Sequence, residues 1–129
     1  MAKKHKYEFE FIINASPAMI YQFLTSASGL AQWFADDVVY KGGHYVFIWD
    51  DTKERAKLTK NKKNERVRFQ WLDDDGNETE YYTEFRIATD DLTKDVSLLV
   101  TDFSEDDEEE ALMLWENQID DLKHILGVH

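Results

Sequence analysis

The side chains that could carry out chemistry are scattered along this chain, and none has the spacing of a known catalytic or metal-binding motif. The four histidines (His5, His44, His124 and His129) show neither H-x-x-x-H nor H-E-x-x-H spacing. The chain has no cysteine, which excludes disulfides, thiolate ligands and cysteine nucleophiles. No serine lies in a G-x-S-x-G turn. The sequence therefore predicts no catalytic residue, no bound metal and no cofactor.

Carboxylates are abundant, but the pattern places them in turns or on outward faces, where their pKa values stay ordinary and unsuited to catalysis near neutral pH. The segment from Asp73 to Glu78 lacks the layout of a calcium loop and predicts a polar hairpin turn. The acidic run from Glu105 to Glu110 has two interpretations. It is either a docking patch for a basic partner or the start of a helix, and Ser104 with Asp107 has capping-box spacing, which favours the helix start.

Composition predicts one globular domain, residues 1–129, with 18 aromatic residues arguing against disorder. The 27 acidic and 15 basic residues give a net charge of −12, which weighs against nucleic acid and anionic membranes as partners. No long apolar run predicts a membrane-spanning segment, so no integral membrane association is expected. The segment from Met1 to Lys6 has no apolar run behind it, so we expect no signal peptide and a cytoplasmic location.

Hydrophobic periodicity predicts a strand from Tyr7 to Ile13, followed by two short helices. Ser16 and Pro17 suit the start of a helix over Ala18 to Thr25, and Ser28 is expected to cap a second helix that runs to about Ala35. Six further strands are expected from alternation and turn residues, at Val38 to Tyr40, Tyr45 to Trp49, Arg55 to Thr59, Glu65 to Trp71, Glu80 to Thr89 and Val96 to Thr101.

The longest apolar period lies at the C-terminal end. Leu112, Trp115, Ile119, Leu122 and Leu126 recur every three or four residues, which predicts the inner stripe of a helix of about 20 residues that ends near Gly127. The element order is β-α-α-β(6)-α, and the short connections imply an antiparallel sheet. The predicted class is α+β, with a curved sheet wrapped around the long C-terminal helix.

A curved sheet that grips one helix leaves a gap where the two diverge, and such gaps bind small apolar molecules. Large aromatic side chains can line that gap or fill it, and the sequence leaves both alternatives open. The residues that we expect to line a ligand site are Trp33, Phe47, Trp49, Phe69, Trp71, Tyr81, Thr83, Phe85, Trp115, Gln118, Ile119 and Leu122.

Four segments carry a resemblance to a known family: Ala15 to Tyr21, Gly29 to Phe34, Gly42 to Phe47 and Trp115 to Lys123. They resemble the START-like, or SRPBCC, helix-grip superfamily, and within it the branch of domains that activate the heat-shock-protein ATPase. The resemblance covers essentially the whole chain. One departure is Lys62 to Glu65, which stands where that branch often has a proline-rich segment.

The resemblance implies non-enzymatic binding of a small hydrophobic or lipid-like ligand between the sheet and the last helix. Two alternatives stay open. One is a protein-interaction or co-chaperone-like module that uses the acidic surface, with a protein partner or a homodimer. The other is an enzyme of the cyclase or hydrolase type, which would need a polar cluster with a perturbed pKa inside the cavity.

Overall fold

Seven strands and three helices follow in the predicted order in the structure, a computed structural model that describes residues 3–128. Met1, Ala2 and His129, included in the sequence predictions, lie outside the described residues. The elements are β1 (His5–Ile12), α1 (Pro17–Thr25), α2 (Ala27–Trp33), β2 (Asp37–Lys41), β3 (His44–Trp49), β4 (Thr52–Lys62), β5 (Arg66–Leu72), β6 (Glu78–Thr89), β7 (Val96–Ser104) and α3 (Glu108–Leu126). The predicted α+β helix-grip class is confirmed.

The sheet is antiparallel throughout and has the strand order β1-β7-β6-β5-β4-β3-β2. Strands β2 to β7 are joined as successive hairpins. Strand β1 has no hairpin partner and pairs instead with β7, where Phe9 lies opposite Val100 and Phe11 opposite Leu98. This register places the inward residues of the first strand beside those of the last strand, so β1 extends the same aromatic face.

Serine caps fix both short helices. Ser16 Oγ accepts a hydrogen bond from the Met19 amide at 3.2 Å, as predicted, and Pro17 takes the first helical position. The predicted cap of α2, Ser28, is wrong. Ser26 caps it, because its Oγ accepts from the Gly29 amide at 3.0 Å while donating to the Gln22 carbonyl at 2.7 Å. One serine thus ends α1 and starts α2.

The junction between β7 and α3 also differs from the prediction. Strand β7 continues three residues beyond Thr101, to Ser104, and α3 begins only at Glu108. Its N-cap is Asp107, whose Oδ1 accepts from the Glu110 amide at 2.9 Å. The expected capping box from Ser104 is therefore wrong, because Ser104 still belongs to the strand. The acidic first turn does lie at the positive end of the helix dipole.

Part of the aromatic face is packed solid. Phe47, Phe69 and Phe85 are fully buried, and the Phe47 and Phe69 rings meet edge to face with centroids 5.5 Å apart. Helix α3 covers them with the predicted stripe, of which Trp115, Ile119, Leu122 and Leu126 are buried. Ala111 takes the first buried position, and Leu112 is half-buried.

The outer face of the sheet is strongly basic along β4 and β5. The register places Lys60 opposite Arg68 and Lys62 opposite Arg66 on this face. Arg66 and Arg68 both contact the Glu84 carboxylate, at 3.2 and 2.8 Å. The basic residues that the strand pairing brings to this face are Lys53, Arg55, Lys57, Lys60, Lys62, Arg66, Arg68 and Arg86.

The contact between α1 and α2 depends on Gly29. A Cβ atom added there would lie 2.6 Å from Ser26 Oγ and 2.9 Å from Phe23 Cα. Helix propensity alone predicts that Gly29→Ala raises the free energy of unfolding by about 1 kcal/mol. We expect the clash with backbone to outweigh this gain and to lower it by about 1–2 kcal/mol, measured by urea denaturation. Ser28→Ala, at an exposed site on α2, should change it by less than about 0.5 kcal/mol; a stabilised Gly29→Ala variant would contradict the expectation.

Candidate functional site

A cavity of about 540 Å³ lies between the sheet and α3. It occupies the region where β3 and β5 run past their packed phenylalanines to Trp49 and Trp71. The first half of α3 forms the opposite wall, and exposed side chains such as Lys4 and Leu114 border it, so the cavity reaches the surface. The predicted gap between sheet and helix therefore exists, and it lies beside the filled part of the core.

The residues expected to line a ligand site divide into two groups of six. Trp49, Trp71, Tyr81, Thr83, Trp115 and Gln118 line the cavity. The other six are buried beside it in the packed core and do not line it: Trp33, Phe47, Phe69, Phe85, Ile119 and Leu122. Both groups share the inward pattern. On β3 and β5 the lining residue follows the buried phenylalanine by two positions, and on α3 the lining residues precede the buried Ile119 and Leu122.

Phe34 connects the three elements α2, β3 and α3 at the cavity wall. It caps the C-terminal end of α2, and its carbonyl accepts from Trp49 Nε1 at 2.8 Å and from Gln118 Nε2 at 3.2 Å. Its ring packs against that of Trp115, with centroids 6.0 Å apart. The end of α2 is thereby fastened to β3 and to α3 at once.

A chain of hydrogen bonds crosses the cavity wall from β5 to α3. Trp71 Nε1 donates to Thr83 Oγ1 at 3.0 Å, and the Thr83 hydroxyl donates to Asp102 Oδ1 at 2.7 Å. Trp115 Nε1 donates to the second oxygen of the same carboxyl, Asp102 Oδ2, at 3.1 Å. One indole and one hydroxyl thus orient the carboxyl group directly, and the second indole orients the hydroxyl.

Burial raises the pKa of the Asp102 carboxyl above its usual value of 3.8. Hydrogen bonds from Thr83, from the Phe103 backbone amide and from Trp115 oppose this rise, as does the charge of Lys4. Desolvation is the largest effect and decides the direction. A carboxyl in this state exchanges its proton closer to neutral pH than an exposed aspartate does. A cation that approaches it stabilises the ionised form.

The expectation that all carboxylates lie in turns or on outward faces is wrong at Asp102. The alternation of β7 runs Leu98, Val100, Asp102, so the strand that extends to Ser104 directs Asp102 inward. The period-two alternation of the sequence was the signal that could have placed Asp102 on the inward face. The predicted strand ends at Thr101, one residue before Asp102, so the prediction leaves Asp102 outside the sheet.

Other lining residues were also absent from the expected set. They are Lys4, Phe34, Glu54, Leu72, Thr79, Phe103, Ser104, Ala111, Leu114 and Asn117. Glu54 lies on the inward side of β4, two residues before the buried Ala56. Within residues 3–128, no group of three or more histidine or acidic side chains is arranged to hold a metal ion.

A family model for the START-like superfamily domain matches residues 1–128. The chain belongs to the START-like superfamily. Domains of this superfamily often bind ligands, and the predicted resemblance is confirmed at the level of the superfamily. A search of curated proteins found no match.

Solved structures share this fold over nearly the whole chain. A protein of Bacteroides fragilis is 33% identical, with a TM-score of 0.63 over 96% of this chain and 92% of its own. The Aha1 dimer from Colwellia psychrerythraea is 24% identical, with a TM-score of 0.72 over 92% and 93%. A Mesorhizobium loti protein is only 14% identical, yet its TM-score is 0.75 over 95% and 97%. The Aha1 likeness is consistent with the predicted branch and shows a shared fold.

No helix among the described residues is long and apolar enough to cross a membrane.

The hydrogen bonds from Thr83 and Trp115 to Asp102 lead to a testable prediction about the titration of this carboxyl. The Trp115 indole proton should report the ionisation of Asp102, with a midpoint above 3.8 in an NMR pH titration. Thr83→Val removes a hydrogen bond that favours the ionised form, so the midpoint should rise further. Thr79→Val removes another hydroxyl from the cavity wall without touching Asp102 and should leave the midpoint unchanged. A midpoint at or below 3.8, or one insensitive to Thr83→Val, would contradict the assignment.

Proposed function

We propose that this protein binds a small, mainly apolar molecule in the cavity between the sheet and α3. The observation that carries the proposal is the cavity itself, because about 540 Å³ falls within the range of small-molecule sites. Three tryptophans and Phe34 supply apolar surface, and Asp102 with Thr83 supplies a polar group at one place on the wall. Such a combination binds an apolar body and orients one polar group of the ligand.

The wall of the cavity is rigid enough to act as a preformed site. Each of the three lining indoles donates its N–H to a partner in the protein: Trp49 to Phe34, Trp71 to Thr83 and Trp115 to Asp102. These bonds hold the rings in place before a ligand arrives, which lowers the ordering cost of binding.

Proton-transfer chemistry is the second candidate, and the raised pKa of Asp102 favours it. A carboxyl of this kind is a usable general acid or base. The geometry supports binding better, because among the described residues Asp102 forms side-chain hydrogen bonds only with Thr83 and Trp115, neither of which titrates near neutral pH. Mass spectrometry of a recovered ligand separates the two: an unchanged ligand supports binding, and a product lost in Asp102→Asn supports catalysis.

The interaction module stays a prediction. The acidic first turn of α3 is exposed, so a basic partner could contact it. The Aha1 dimer from Colwellia psychrerythraea shares the fold. Light scattering across salt concentrations tests self-association. A dimer that dissociates with added salt would support a charge-based interface.

The four tryptophans give the ligand proposal an internal control. Trp49, Trp71 and Trp115 line the cavity, whereas Trp33 is buried outside it and donates to the Phe23 carbonyl at 2.8 Å. We expect ligands from a panel of medium-chain alcohols, amines, acids and small aromatic compounds to shift the three lining indole N–H resonances by NMR. The Trp33 resonance should stay in place. If no compound shifts the lining set, the proposal is wrong.

A pair of α3 variants tests the location of binding. Asn117 lines the cavity and is exposed, so Asn117→Phe should place a ring over the opening and weaken binding about tenfold or more. Glu116 is equally exposed but does not line the cavity, and Glu116→Phe should bind like the parent protein. Ligand affinities are measured by titration calorimetry. Equal effects of the two variants would show that the ligand binds outside this cavity.

A further inference from the structure

We infer that the cavity selects an organic cation, a protonated amine carried on an apolar tail or ring, and that Asp102 is its counter-ion. The inference rests on the proposed function, because it names the charge class of the ligand for the same cavity.

The first argument is that the three indole N–H groups and the Thr83 hydroxyl of the cavity wall are already used as donors. The N–H groups of Trp49, Trp71 and Trp115 all donate within the protein, and the Thr83 hydroxyl donates to Asp102. Because an indole has a single donor and no acceptor, these rings offer a ligand only carbon surface. A ligand that needs several donors, such as a carboxylate or phosphate, finds few of them on this wall.

The second argument is that acceptors remain. A carboxylate has about four lone-pair sites, and three donors use that of Asp102: the Thr83 hydroxyl, the Trp115 indole and the Phe103 backbone amide. One acceptor position is therefore left for a ligand. Gln118 uses its amide nitrogen on the Phe34 carbonyl, which leaves its side-chain oxygen as an acceptor on the cavity wall. An ammonium group has three donors and no acceptor, so it matches this set.

The third argument is the aromatic surface around the carboxyl. Trp49 and Trp71 lie with ring centroids 6.3 Å apart, and Trp115 and Phe34 stack at 6.0 Å. Tryptophan attracts cations more strongly than other aromatic residues do, and the attraction grows when the cation is desolvated. Aromatic rings grouped around a cation are a common means of recognising ammonium ligands, and here a carboxyl lies beside them.

The charge balance points the same way. Glu54 adds a second carboxylate to the cavity, and Lys4 is its one lining ammonium among the described residues. Lys4 Nζ lies over the Tyr81 ring, 4.9 Å from its centroid. The net charge of −12 attracts cations over a longer range. Desolvation, which raises the pKa of Asp102, is a cost that a bound cation offsets.

Three probes of equal tail length test the inference: octylamine, octanol and octanoate at neutral pH, with affinities from titration calorimetry or NMR. We expect octylamine to bind about tenfold or more tightly than octanol, and octanoate to bind most weakly. In Asp102→Asn, the affinity for octylamine should fall about tenfold or more while that for octanol changes by less than about threefold.

Two further variants separate a local effect from a loss of charge or of folding. Asp120→Asn removes a carboxylate from an exposed position of α3 outside the cavity and should leave the preference for octylamine intact. Glu54→Gln acts on an exposed residue of the cavity lining, and it should weaken the binding of octylamine about threefold while the binding of octanol stays unchanged. The Trp33 indole resonance reports that each variant is folded.

The outcomes distinguish the inference from the proposed function. If octanol binds at the lining tryptophans as tightly as octylamine, or if the affinity for octylamine survives in Asp102→Asn, the cation inference is wrong and ligand binding stands. If none of the three probes shifts a lining indole, both fail.

Discussion

The cavity between the sheet and α3 depends on the carbonyl oxygen of Phe34. A helix end leaves its last carbonyls without partners, and here two side chains from distant elements satisfy one of them. Trp49 comes from β3 and Gln118 from α3, so the end of α2 holds sheet and covering helix at a fixed separation. The Phe34 ring then packs on Phe47, Trp49, Phe85 and Trp115, and it divides the filled core from the open cavity.

The need to satisfy buried hydrogen-bond donors also determines the polar groups of the cavity wall. In an apolar wall every indole N–H needs an acceptor, and the protein supplies these acceptors itself. Among the described residues, no buried side-chain nitrogen or oxygen lacks a partner. Satisfying Trp71 and Trp115 requires acceptors inside the wall, and Thr83 with Asp102 provides them. The carboxyl therefore serves both to hold the wall and to give the cavity its polar character.

Much of the fold could be predicted from sequence because periodicity reports which side of an element is buried. The spacing of Trp115, Ile119 and Leu122 fixed the buried face of α3, and the turn residues fixed the hairpins. The candidate site was harder to predict, since lining and filling residues carry the same pattern. Phe47 and Trp49 share one face of β3, yet only Trp49 lines the cavity, and the difference is set by where α3 leaves the sheet. Asp102 could not be placed in the cavity because the predicted strand ends at Thr101, whereas β7 continues to Ser104.

The basic outer face of β4 and β5 makes the charge distribution of the molecule uneven, which the net charge of −12 does not show. Lysine and arginine side chains cover the outer side of β4 and β5, whereas the exposed acids of α3, among them Glu108, Glu109 and Asp120, lie on the other side of the sheet. A charge distribution of this kind is a large permanent dipole. The protein will therefore orient in the field of a negatively charged surface, with the outer face of β4 and β5 turned toward it.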